Sequence, residues 1–123
     1  MLRGNLYAGL LSLAAAPSSA VLLYATSYND GTVTTLDLDV EAGTLKTLSK
    51  STDCGSEPAW LTLDRDEGIL WCLGEGWSGD SSIASYKTSA DGTLETLGVW
   101  NVTKSAVSST LYGPNNSGLA VAH

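Results

Sequence analysis

The stretch GTLKTL at residues 43–48 returns as GTLETL at residues 92–97, forty-nine positions later. The residues around both copies align as well. Leu22-Leu23-Tyr24 matches Ile69-Leu70-Trp71 at an offset of 47, and Val33-x-x-Leu36 matches Ile83-x-x-Tyr86 at 50. Gly68-Ile69-Leu70 matches Gly118-Leu119-Ala120, again at 50. The offset drifts only where loops are expected, as at Gly76-Trp77-Ser78-Gly79-Asp80. A unit of about fifty residues therefore repeats, and a third copy begins at Gly118.

Each copy reads as strands. Apolar and β-branched runs alternate with turn chemistry at Asn29-Asp30-Gly31, Glu41-Ala42-Gly43, Asp64-Arg65-Asp66-Glu67-Gly68, Ala90-Asp91-Gly92 and Gly113-Pro114-Asn115-Asn116. Strands are predicted near 21–28, 32–39, 44–50 and 58–63 for the first unit, and near 69–75, 82–88, 93–100 and 107–112 for the second. A last strand is predicted at 118–122. Asp37-Leu38-Asp39-Val40 alternates with period two, and no helical periodicity is evident beyond the first twenty residues. Four strands per fifty-residue unit is the pattern of a propeller blade. The expected fold is all-β: a partial β-propeller of two four-stranded antiparallel blades plus the first strand of a third. Such a piece leaves one blade face uncovered and one edge unpaired, so the expectation is part of a larger propeller.

Composition narrows the class. At 123 residues, 43% hydrophobic and 15% charged, the chain can build a core. Thirteen acids against six bases give a net charge of −7, which argues against a nucleic-acid partner. Residues 1–20 read as a signal peptide: Arg3 precedes an apolar run over residues 6–16, and Ser18 and Ala20 supply the small residues for a cut after Ala20. The run is shorter than the roughly 20 residues that span a bilayer, with an uncleaved signal anchor as the alternative. Cleavage removes Arg3 and no acid, taking the charge from −7 to −8. The expectation is a secreted domain over 21–123 with no membrane contact once the leader is gone. The sequons Asn101-Val102-Thr103 and Asn115-Asn116-Ser117 make Asn101 and Asn115 glycosylation candidates.

Four stretches resemble the seven-bladed β-propeller lactonase family, which includes 6-phosphogluconolactonases, carboxy-cis,cis-muconate cyclases and secreted fungal members. Leu22-Leu23-Tyr24-Ala25-Thr26-Ser27-Tyr28 with Gly31-Thr32-Val33 resembles the family's opening strand pair. Glu57-Pro58-Ala59-Trp60-Leu61-Thr62-Leu63-Asp64 is similar to its Asn-Pro-Ser-(aromatic)-Leu segment, with Glu57 in the Asn place. Leu70-Trp71-Cys72-Leu73-Gly74-Glu75 is similar to its Leu-Tyr-x-x-Asn-Glu, with Gly74 departing from Asn. Gly118-Leu119-Ala120-Val121-Ala122-His123 resembles Leu-x-Val-Ala-Asn-Tyr, with His123 departing from Asn. The resemblance covers most of residues 21–123, about two of the family's seven blades. It implies hydrolysis of a sugar lactone or cyclisation of a muconate-type acid, with a small-molecule lactone or carbohydrate as partner and no cofactor or metal.

Glu75 is the first catalytic candidate: a carboxylate where a strand runs into a loop can act as general base or orient a water. The plainer reading is a rim carboxylate bonded to a neighbouring blade. His123, the only histidine, is a second candidate as a proton shuttle, against an incidental role. Trp77 is a candidate substrate-binding residue by stacking on a sugar, against a packing role. Asp64-Arg65-Asp66-Glu67-Gly68 fails the calcium-loop template because Gly falls at the fifth position rather than the sixth. Gly76-Trp77-Ser78-Gly79-Asp80 fails the nucleophile elbow because Asp80 replaces the second Gly and no helix follows.

Cys54 and Cys72 are the only cysteines. The intervening turn folds their segments past one another, and export favours oxidation, so a Cys54–Cys72 disulfide is expected. A buried free Cys72 with Cys54 loose in its loop is the competing reading. Two functions remain open: a lactonase-type enzyme when complete, with this part alone inactive, or a secreted non-catalytic propeller binding carbohydrate or protein on its loop face.

Overall fold

A computed structural model describes residues 20–123. The leader, Arg3 and the apolar run before the cut lie outside the described residues. Nine strands follow in order: β1 (Ala20–Ser27), β2 (Thr32–Asp39), β3 (Thr44–Ser51), β4 (Pro58–Asp64), β5 (Ile69–Gly74), β6 (Ser82–Thr88), β7 (Leu94–Asn101), β8 (Ser108–Tyr112) and β9 (Gly118–Ala122). A 3-10 turn at Pro114–Asn116 is the only helical element among the described residues. All pairings are antiparallel, in three sheets ordered β1-β2-β3, β4-β5-β6-β7 and β8-β9.

The all-β class and the strand positions agree with the expectation, but the grouping into blades is shifted by one strand. The repeat pattern puts residues 58–63 at the end of the first unit and 107–112 at the end of the second. Instead β4 pairs with β5, and β8 with β9. The physical reason lies in the turns. Asp64 Oδ1 accepts from the amides of Asp66 and Glu67, closing a tight hairpin that ties β4 to the strand after it. Residues 52–57, by contrast, carry the chain from the outer strand of one sheet to the first strand of the next. The sheets therefore hold three, four and two strands rather than four, four and one.

The repeated hexapeptide explains itself in this frame. Each copy opens on a turn glycine with positive φ, Gly43 at 64° and Gly92 at 87°, and becomes the outer strand of its sheet. Each copy also ends on a β-bulge. Thr35 faces Ser49 while Leu36 faces Thr47, leaving Leu48 as the extra residue. Ser85 faces Gly98 while Tyr86 faces Thr96, leaving Leu97. An extra residue bends and twists the strand, as the outer edge of a twisted sheet requires. The one difference between the copies, Lys46 against Glu95, is matched across the strand. Lys46 stands opposite Asp37 and Glu95 opposite Lys87, so each sheet sets opposite charges on its outer pair.

The core lies between the first two sheets. Val33 of β2, Leu70 and Cys72 of β5, and Ala84 and Tyr86 of β6 are fully buried together with Cys54, and Tyr24, Leu61, Leu63 and Leu94 pack around them. Burying a Leu- or Val-sized side chain stabilises by about 1.5–3 kcal/mol. The expected disulfide is present inside this core, joining the β3–β4 connection to β5 with Cα atoms 5.9 Å apart. Closing a loop of this size contributes roughly 3 kcal/mol by constraining the unfolded chain. The other face of the second sheet is looser. Trp71 and Trp100 lie 6.2 Å apart there and, with Ile83 and Leu119, line an apolar cavity of about 300 Å³ facing the third sheet.

Candidate functional site

Because successive strands alternate direction, the β1–β2, β3–β4, β5–β6 and β7–β8 connections all leave at one end of the sheets, where β9 also ends. This end collects the catalytic and substrate-binding candidates Glu75, Trp77 and His123. Glu75 follows Gly74 at the end of β5. Its backbone is held on both sides: its N–H donates to the Glu57 carbonyl at 3.0 Å, and its carbonyl accepts from Ser105 N–H at 3.0 Å. The carboxylate accepts from the Tyr28 hydroxyl at 2.9 Å through Oε2 and from the Trp77 indole N–H at 2.5 Å through Oε1. Each oxygen keeps a lone pair for a further donor.

Tyr28 and Glu57 were not among the site candidates, yet both belong to this cluster. The Tyr28 phenol is pushed up from 10.0 to about 12, first by loss of solvation, then by its bond to Glu75 and the negative charge of Glu75 and Glu57. It is therefore a neutral donor near neutral pH, anchoring Glu75 rather than exchanging protons. Glu57 sits in the left-handed region at φ 56°, and both its carboxylate oxygens accept from the Ser78 amide, at 3.1 and 3.0 Å. Its carboxyl lies below the ordinary value because Ser78 hydrogen-bonds the charged form, with Lys104 adding a favourable charge. Between the loops, Tyr28, Asn29, Asp30, Gly31, Ser56, Glu57 and Ser78 enclose a hollow of about 260 Å³.

Glu75 and Trp77 are brought together; His123 is not joined to them directly. Its Nδ1 lies 3.2 Å from the Lys104 carbonyl, in the loop whose Ser105 touches Glu75 only through the backbone. Trp77 is 71% exposed with its indole N–H already engaged, so it offers ring face rather than a donor. Asn101 closes β7 at this same end, whereas Asn115 lies in the β8–β9 turn at the opposite end, and both are exposed.

The family model described as "Lactonase, 7-bladed beta-propeller" matches residues 22–123. The chain belongs to the seven-bladed β-propeller lactonase family. Comparison with curated proteins and with solved structures returns no match.

Within this lactonase-family chain two of the departures noted in sequence, at Glu57 and Gly74, have structural counterparts. At Glu57 the backbone is left-handed, a conformation asparagine adopts more readily than glutamate. The asparagine usual at this place was thus a readable sign of special backbone. Glu57 accepts that conformation while its carboxylate holds the Ser78 amide. At Gly74 a Cβ would lie 2.6 Å from the Cys54 carbonyl oxygen and 2.8 Å from Ser82 Oγ. The β3–β4 connection packs directly on this strand end, so no side chain fits. Tyr28 carried no such sign, since its partner lies 47 residues away.

Proposed function

We propose that this chain belongs to a secreted lactonase-type propeller that opens a sugar lactone or closes a muconate-type acid once its ring of blades is complete. The carrying observation is the Glu75 carboxylate, aimed by Tyr28 and Trp77 at the loop end of the sheets. Ring opening needs a water directed at the lactone carbonyl, and an oriented carboxylate with a spare lone pair is suited to position and deprotonate it. Family membership over residues 22–123 supports the lactone class. The buried Cys54–Cys72 bridge supports an oxidising, extracellular setting. The exposed apolar side chains Leu97, Val99 and Trp100 on β7 support packing against further blades, since each blade buries its faces on its neighbours.

The test is turnover of a gluconolactone and of a carboxymuconate by the complete propeller, as wild type and Glu75→Gln. A fall in kcat of about 100-fold or more, at near-unchanged KM, is expected for a base that acts only in the transition state. Unchanged turnover would reduce Glu75 to the tie between the first two sheets that its bond to Tyr28 also makes it. The strong exposure of Trp77 favours a second reading, a non-catalytic carbohydrate-binding propeller, which predicts sugar binding with no turnover of either substrate.

A further inference from the structure

Trp77 is exposed over most of its surface, yet its orientation is fixed, because Glu75 holds the indole N–H and Tyr28 holds Glu75. An exposed indole with its one donor occupied can interact only through its ring faces and edges. Ser78, the next residue, lines the hollow of about 260 Å³ with Glu57, Asp30 and Tyr28. That volume is below the roughly 300 Å³ at which sites for larger ligands begin, and it suits a single ring. The polar groups beside it are mainly acceptors. Glu57 and Glu75 keep lone pairs beyond those used by Ser78, Tyr28 and Trp77, and Asp30 keeps lone pairs beyond that used by the Ser27 hydroxyl. A ligand for this place therefore needs an apolar ring face and several outward hydroxyl donors.

The charge at this end decides between ligands of that shape. Asp30, Glu57 and Glu75 bring three carboxylates to or beside the hollow, and Lys104 is the cation acting on Glu57. An anionic phosphate or carboxylate entering here meets net repulsion, stronger where water is excluded. We propose that this loop end binds an uncharged polyhydroxylated ring, a neutral hexose or hexonolactone stacked on Trp77 with its hydroxyls donating to Glu57, Glu75 and Asp30, and that it discriminates against phosphorylated or carboxylated sugars. This rests on the lactonase reading above and names the substrate class of that same end of the molecule.

The test is isothermal titration of the full chain with methyl β-glucoside and with glucose 6-phosphate at low salt. The neutral sugar is expected to bind about tenfold or more tightly than the phosphate ester, with the gap narrowing as salt screens the carboxylates. Trp77→Ala is expected to abolish sugar binding, and Trp77→Phe, which keeps an aromatic face, to retain it within a few-fold. Circular dichroism of both variants confirms that the sheets persist. Equal or tighter binding of glucose 6-phosphate overturns the proposal. So does sugar binding that Trp77→Ala leaves intact, and so does the absence of any saccharide binding. Lactone turnover by the complete propeller separates the two proposals. Turnover without neutral-sugar preference sinks this inference and spares the lactonase reading, and neutral-sugar binding without turnover does the reverse.

Discussion

GTLKTL and GTLETL have the same turn glycine, the same outer strand and the same bulge, but not the same neighbours. Leu48, the bulge of the first copy, packs onto Gly92, the turn glycine of the second. A Cβ on Gly92 would sit 2.6 Å from Leu48 Cδ1 and 3.1 Å from Thr35 Cγ2. Ser49 reinforces the seam, its hydroxyl donating to the Gly92 carbonyl at 2.8 Å. The outward-facing ends of the two copies touch nothing comparable. Gly43 has open space where a Cβ would be, and Leu97 is 54% exposed. At the loop end it is equivalent positions that meet, where Tyr28 bonds Glu75 across the 47-residue offset that also relates Tyr24 to Trp71. Local sequence thus sets the shape of each unit, and the energetic weight of a residue depends on whether the adjoining sheet is beside it.

The strongest way to break this comparison is at the glycines. Gly92→Ala combines a left-handed φ with a clash against Leu48 and Thr35, and a loss of roughly 3–4 kcal/mol is expected. Gly43→Ala meets only the backbone penalty, about 1 kcal/mol. Denaturation midpoints of the two variants check this, and equal losses would show that the Leu48 contact adds nothing. Next come the bulge leucines. Leu48→Ala should lower stability by about 1–2 kcal/mol, as a half-buried leucine losing its contact, while Leu97→Ala should stay within about 0.5 kcal/mol.

A smaller effect sharpens the one chemical difference between the copies. Lys46→Glu sets like charges opposite Asp37, and Glu95→Lys does so opposite Lys87. Each should lower stability by about 0.5 kcal/mol at low salt, and the loss should shrink at high salt. The smallest concerns Tyr28. Its folded value is raised to about 12 from 10.0, so the stability of its neutral form bonded to Glu75 is fully present below about pH 10. That stability is lost as pH rises toward 12. Absorbance titration of tyrosinate should show a late-ionising component that disappears in Tyr28→Phe. Burial also raises Tyr86, so a second late component is expected to survive that substitution.

Much of the fold was legible because turn and strand chemistry is local. Asp64 caps its own hairpin, and Asp37-Leu38-Asp39 of the alternating run ends β2, with Val40 in the turn that follows. The phase of the blades was not legible. A run such as residues 58–63 pairs equally well, on pattern alone, with the strand before it or after it. The choice fell to the tight turn at Asp64 and the longer crossing at residues 52–57. For the candidate site, Glu75 and Trp77 could be read from their place at a strand end. The contacts of the Tyr28 and Glu57 side chains could not, because their partners lie 47 and 21 residues away; only the special backbone at Glu57 left a sign, in the asparagine usual there.

The sequence by itself determined an all-β chain of repeated strands, its membership of the lactonase family and the pair of cysteines able to bridge. The fold class follows from the fifty-residue period and its turn residues, the family from the motif stretches that its model matches over residues 22–123, and the bridge from there being two cysteines only. Only the tertiary structure decided which strands share a sheet, that Leu48 fills the space a glycine leaves in the next unit, and that Tyr28 and Trp77 hold the Glu75 carboxylate at one end. Such contacts join residues far apart in the chain, and close packing and hydrogen-bond satisfaction select them only once the sheets have come together.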